Sequence, residues 1–168
     1  FLMKILQSSS GKFYFNALLN SYGMLFFSKN KLFAGFILFI SLFTPFAGGM
    51  ALLALLTALV AATAMGLDRL QLESGLLTYS VVLFGLGFAT NYEFGGTFLI
   101  LLMVGSLLTL FLSAALNSIL YRLQLPALSL AFIVSSALLT MAAKNFTGLG
   151  LTLRHIYWYN EAYALGGT

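Results

Sequence analysis

The sequence predicts an all-α integral membrane protein with about five transmembrane helices and an N-terminal re-entrant or interfacial helix. Three observations predict it. Of 168 residues, 61% are hydrophobic and only 7% charged, against about 25% charged in a soluble domain. Mean hydropathy is +1.01. The few charges fence off the uncharged stretches 32–67, 74–92, 94–121 and 123–143, each near or above the ~20 residues that cross ~30 Å of hydrocarbon. A secreted disulfide scaffold, a disordered tail, a nucleic-acid module and an ordinary cytosolic enzyme are all excluded. The net charge of +4 comes from scattered Lys and Arg and leaves no phosphate-binding footprint, hence no nucleic-acid partner. With no cysteine, neither disulfides nor thiolate metal sites contribute. The partner that this composition demands is a lipid bilayer.

Residues 13–27, FYFNALLNSYGMLFF, come first. They are apolar and aromatic but too short to cross, and they contain Asn16 and Asn20, which suits an interfacial or re-entrant segment. Stretch 32–67 would make ~54 Å of helix, too long for one crossing and right for two. Pro45, Gly48 and Gly49 lie near its middle, where a reversal is expected. Stretches 74–92, 94–121 and 123–143 supply one crossing each. The expected organisation is a cytoplasmic N-terminal and re-entrant segment over 1–30, five helices over 31–143, and an interfacial tail or linker over 144–168. The chain starts at Phe1, ends in Gly166, Gly167 and Thr168, and shows no apolar leader with a small-residue cleavage site. It reads as part of a longer product.

Five crossings place Lys4, Lys12, Lys29, Lys31, Arg69 and Arg122 on one side, and Lys144 and Arg154 on the other. The positive-inside rule then puts the N-terminus in the cytoplasm of a plasma (inner) membrane protein. Tyr157, Trp158 and Tyr159 form the expected aromatic belt at the opposite interface.

No ionisable residue falls within an expected crossing, which argues against a pump or a proton-coupled carrier. The polar groups at depth are neutral. Ser106, Thr109, Ser113 and Asn117 share one helical face, as do Ser129, Ser136 and Thr140. Such stripes either line a path for a small neutral solute or pack helices through small and hydroxyl residues, and spacing alone favours packing. Ala54, Ala58, Ala61, Ala62 and Gly66 form a packing face. Gly85 with Gly87, and Gly148 with Gly150, lack the strand–helix context of a phosphate loop. His155 has no second ligand at metal spacing. Asp68, Arg69 and Glu73 suit a solvated ion pair at a cytoplasmic turn, and Asn145-Phe146-Thr147 is a formal glycosylation sequon. No cofactor, metal site or enzymatic constellation is expected.

Three stretches, in order, resemble the urea transporter family. Residues 75–85, GLLTYSVVLFG, are similar to its GLxGFNGxLxG stretch, and residues 125–132, LPALSLAF, to its LPxxTxPF signature. Residues 24–31, MLFFSKNK, follow its Gln-Val-x-Phe segment and the Asn-Pro after it. Residues 51–70 resemble the family helix that ends in an Asp before the GL turn. The resemblance covers about residues 22–143, one of the two homologous halves in such transporters. The family Gln falls on Met24, its Val on Leu25, and its Phe is kept as Phe27. The Phe-Asn pair falls on Tyr79 and Ser80, the signature Thr on Ser129 and its second Pro on Ala131, while Asn-Pro becomes Asn30-Lys31.

The resemblance implies one half of an inverted-repeat, channel-like transporter, often assembled as a homotrimer, that passes urea or a similar small neutral solute down its gradient. Aromatic rings sandwich the planar solute and oxygens receive its N–H groups. Phe27 and Tyr79 are the implied slot rings, and Ser80 and Ser129 the oxygen contacts. Met24 and Leu25 stand at the amide segment, and Pro126 starts the last crossing. The rival readings are a non-transporting membrane scaffold or anchor, and a channel for another solute such as ammonia or water.

Overall fold

The computed structural model describes residues 2–122 and 129–143. They form seven α-helices: α1 Leu2–Met24, α2 Lys31–Ser41, α3 Pro45–Ala64, α4 Arg69–Glu73, α5 Tyr79–Asn91, α6 Gly96–Arg122 and α7 Leu130–Ala143. Pro126 and the tail 144–168, with Lys144, Arg154, His155, the glycosylation sequon and the aromatic belt, lie outside the described residues.

Local chemistry sets the helix ends. The Asn30 side chain caps α2 by accepting from the Leu32 N–H at 3.0 Å. Pro45 opens α3, where its fixed φ fits and its missing N–H loses nothing. Gly66, at φ +72, closes α3: the Leu67 N–H reaches the Ala62 carbonyl at 3.0 Å and the Gly66 N–H the Thr63 carbonyl at 3.2 Å. That is a Schellman ending, in which a left-handed residue lets the last carbonyls be satisfied. Gly66 therefore ends the helix and does not extend its packing face. Asp68 caps α4 through the Leu70 N–H at 3.1 Å.

Two boundaries differ from the sequence expectation. The N-terminal helix runs from Leu2 for 23 residues, because nothing between 2 and 12 breaks it. The reversal in stretch 32–67 occupies residues 42–44, just ahead of Pro45, while Gly48 and Gly49 lie inside α3. Gly48 serves close approach instead: a Cβ there would collide with the Ser41 carbonyl.

All five expected crossings correspond to helices in order, but their lengths differ. Pro45–Ala64 and Gly96–Leu120 are long and apolar enough to cross a membrane. Helices α2, α5 and α7 have 11, 13 and 14 residues and reach only ~17–21 Å at the α-helical rise. Part of each parent stretch is spent elsewhere, as in the turn 74–78 that precedes α5.

Small residues bring the backbones together. Ala51, Ala54, Ala58 and Ala62 of α3 are fully buried, and a Cβ on Gly85 of α5 would lie 2.7 Å from the Ala51 Cα. Close backbone approach is how helices gain attraction where lipid removes the hydrophobic drive between them. Gly105 of α6 gives the same access to the Phe84 ring and to Leu139 of α7. Phe84 stacks on Phe88 at 5.4 Å and Phe88 on Phe98 at 5.1 Å, tying α5 to α6. The outward faces are apolar too: Phe36, Phe39, Val60, Ile100, Phe111, Ile133 and Met141 are all exposed. Soluble proteins rarely expose contiguous apolar patches above a few hundred Å². Within the described residues, 44% of the α3 span and 39% of the α6 span are buried, which leaves more than half of each span open to its surroundings.

Candidate functional site

The loop before α5 is braced against α1. Gly75 holds φ +76, and a Cβ there would sit 2.6 Å from the Asn20 carbonyl oxygen, so the loop presses directly on α1. Asn20 Nδ2 donates to the Glu73 carbonyl at 2.6 Å, and Asn16 Nδ2 to Glu73 Oε1 at 3.1 Å. The buried hydroxyls of Ser21 and Thr78 pair at 2.6 Å, fixing the residue immediately before Tyr79. Lys31 Nζ donates to Asn16 Oδ1 at 3.1 Å, so one amide bridges a cation and a carboxylate. The ion pair expected of Asp68, Arg69 and Glu73 gives way to other contacts. Asp68 caps α4, Glu73 takes Asn16, and the Arg69 guanidinium lies 5.6 Å from the centre of the Phe13 ring.

Tyr79 and Ser80 start α5 and are both buried. They line a narrow, closed crevice, too tight for a water-sized sphere, with Leu76, Ser113, Leu116, Asn117 and Ala131. Stretches 75–85 and 125–132, separate in sequence, therefore meet there. Met24, Leu25, Phe27 and Ser129 do not line it. Met24, the last residue of α1, and Leu25 just after it are half-buried, and Leu25 packs on the core. Ser129 is half-buried in the turn before α7, its carbonyl accepting the Ile133 N–H at 3.1 Å.

Phe27 is 66% exposed and has φ +53. The Ser28 N–H bonds the Gly23 carbonyl at 3.0 Å and the Phe27 N–H the Met24 carbonyl at 3.1 Å. Phe27 thus occupies the left-handed position of a Schellman ending, a place where glycine is usual. For a bulky residue that conformation is an outlier, and such strain clusters at functional sites.

The hydroxyl stripe of α6 divides. Ser106 pairs with Thr57 of α3 at 2.9 Å, and Thr109 pairs with Ser135 of α7 at 2.8 Å; both are helix-packing bonds. Ser113 is buried, its Oγ has no hydrogen-bond partner among the described residues, and with Asn117 it lines the crevice. On α7, Ser136 and Thr140 bond their own helix at exposed positions, and Ser135 supplies the buried hydroxyl. Sequence reading placed Ser113 and Asn117 on the stripe but outside the site.

A larger open cavity, about 570 Å³, lies at the other end of α5 between Phe43, Pro45, Phe46, Tyr92, Glu93 and Phe94. It contains none of the expected site residues and its walls are mainly apolar, so the polar crevice is the better candidate.

These features define a helical, multi-span membrane protein with a neutral polar crevice between closely packed helices. The sequence matches the profile of the urea transporter family over residues 15–164. The chain belongs to that family, which comprises membrane channels and not enzymes. No curated protein matches the chain.

Proposed function

We propose that this chain forms the passage of a passive channel for urea or a similar small neutral solute. The observation that carries the reading is the crevice in which Tyr79 and Ser80 of one family stretch meet Ala131 of the other. Urea is planar and uncharged, with four N–H donors and one strong acceptor. Leaving water costs it those hydrogen bonds, and each unpaired polar group costs roughly 1–3 kcal/mol. A slot of ring faces and hydroxyl oxygens repays that cost without a metal, a nucleotide or an ionisable relay. Tyr79 supplies a ring and Ser80 an oxygen within the crevice, while Phe27 as a second ring, Ser129 as a second oxygen, and Met24 and Leu25 at the family's amide position rest on the family stretches alone. The departure at Met24 removes an amide from the family pattern and relaxes selectivity towards other small neutral solutes.

Residues 1–30 form the cytoplasmic and re-entrant part, 31–143 the five-helix half-repeat, and 144–168 the tail or linker to a second, inverted half, with a homotrimer as the assembly. The membrane is the plasma or inner membrane, with the N-terminus cytoplasmic. A scaffold reading draws on the Thr57–Ser106 and Thr109–Ser135 bonds, which only pack helices, but leaves the crevice unexplained. Stopped-flow light scattering on liposomes holding the full-length protein decides between them. Urea equilibration faster than in empty liposomes, and unchanged when ion gradients are collapsed, is expected. Equal permeability with and without folded protein removes the reading.

A further inference from the structure

We infer that Ser113, with Asn117 one turn beyond it on α6, is a solute-contact and specificity-determining pair, an inference that rests on the channel reading above. The starting point is a contrast along one helix face. Ser106 Oγ donates to the Met103 carbonyl at 2.7 Å and pairs with Thr57; Thr109 Oγ1 meets the Gly105 carbonyl at 2.7 Å and Ser135. Returning a proton to the preceding turn is the default for a helical hydroxyl with no water nearby. Ser113 stands one turn further on, is only 3% exposed, and its Oγ has no partner among the described residues. A buried hydroxyl left unpaired is a persistent penalty, which alanine at the same position would avoid.

The position of Ser113 supplies the reason for keeping it. Its side chain lines the crevice with Tyr79, Ser80 and Asn117, so the unpaired group faces the slot and not lipid. A hydroxyl both donates and accepts, and so does a carboxamide. Together Ser113 and Asn117 match a solute that carries N–H groups and a carbonyl on one small planar frame. The empty crevice is too narrow for a water-sized sphere, so a solute must part its walls. The amide solute regains hydrogen bonds from Ser113 on entering, whereas a solute without both kinds of group does not. The pair therefore favours amides over apolar or donor-only molecules of similar size.

Ser113→Ala and Ser106→Ala, in the full-length protein, test this in liposomes, with urea and water permeability and thermal unfolding measured on each. Ser113→Ala is expected to slow urea by roughly 5- to 150-fold, the loss of one desolvated hydrogen bond at the barrier, with unfolding temperature unchanged or raised. Ser106→Ala is expected to lower the unfolding temperature and leave urea flux per folded protein unchanged. Wild-type urea rate and urea-to-water ratio in Ser113→Ala overturn the inference and leave the channel reading standing. A lowered unfolding temperature in Ser113→Ala marks a structural hydroxyl and overturns it as well. No urea flux in the wild type removes the channel reading, and this inference with it.

Discussion

Phe27 concentrates the residue-scale physics of the chain. Its backbone sits at φ +53 at the end of α1, a conformation that costs a β-carbon residue roughly 1–2 kcal/mol. The residue is 66% exposed, so little packing within these helices offsets that cost. Phe27→Gly should therefore raise stability by about 1 kcal/mol, a few degrees in the unfolding midpoint. It should also remove a slot ring and weaken the preference for urea over N-methylated ureas. Differential scanning calorimetry in detergent and liposome flux measure the two effects separately. A lower midpoint defeats the strain account, and an unchanged solute preference removes Phe27 from the slot. The motif spacing alone pointed to this residue, but its left-handed backbone was not readable, because it depends on how residues 23–28 turn. The same limit applies to the α6 stripe. Ser106, Thr109 and Ser113 are equivalent by spacing, and only Thr57 and Ser135, brought in from other helices, separate the bonded hydroxyls from the one left unpaired among the described residues.

At the scale of elements, helix pairing depends on where a β-carbon is missing. Helices α3 and α5 meet through Gly85 against Ala51, where an added Cβ would fall 2.7 Å from a backbone atom. A flexible side chain can yield, but a backbone in a close-packed pair cannot. Gly85→Ala should destabilise the protein by roughly 1–3 kcal/mol through overpacking. Gly49→Ala, on the same α3 but with nothing within 4 Å of the added carbon, should be neutral or stabilising, since alanine is the better helix former. Chemical unfolding of both variants in detergent checks the opposite signs; equal losses would show that the close contact is not what holds the pair. The order of these elements was readable because charges are excluded from apolar spans, so Lys31, Asp68, Arg69, Glu73, Glu93 and Arg122 mark their ends. Exact lengths were not, because an apolar residue in a turn such as Phe43 or Leu77 resembles one in a helix.

At the scale of the whole molecule, turns and charges sort to opposite ends. Phe46 lies 6.0 Å from Phe94 and 5.8 Å from Phe98, which places the turn 42–44 beside the turn leading into α6. At the other end, Tyr14 bonds Thr63 and Asn16 bonds both Glu73 and Lys31. Lys31 and Arg69 therefore share one end, whereas Glu93 borders the cavity at the other. Basic groups stay preferentially in the cytoplasm, so the Lys31 end should face inward. The chain has no native cysteine, so single cysteines at neutral positions report side without disturbing charge. In sealed, oriented vesicles, Ser74→Cys should react only with reagent on the cytoplasmic side, and Thr44→Cys and Asn91→Cys only with reagent outside. Trp158→Cys, beyond the fifth expected crossing, should react outside as well. That last position decides the parity: an odd number of crossings turns a following homologous half upside down, the arrangement that builds a midplane passage from inverted repeats. Labelling of positions 74 and 158 from the same side would mean an even number of crossings between the cytoplasmic turn and the tail. A second half would then enter in the same orientation as the first, and the crevice at Tyr79 and Ser113 would have no inverted counterpart to complete it.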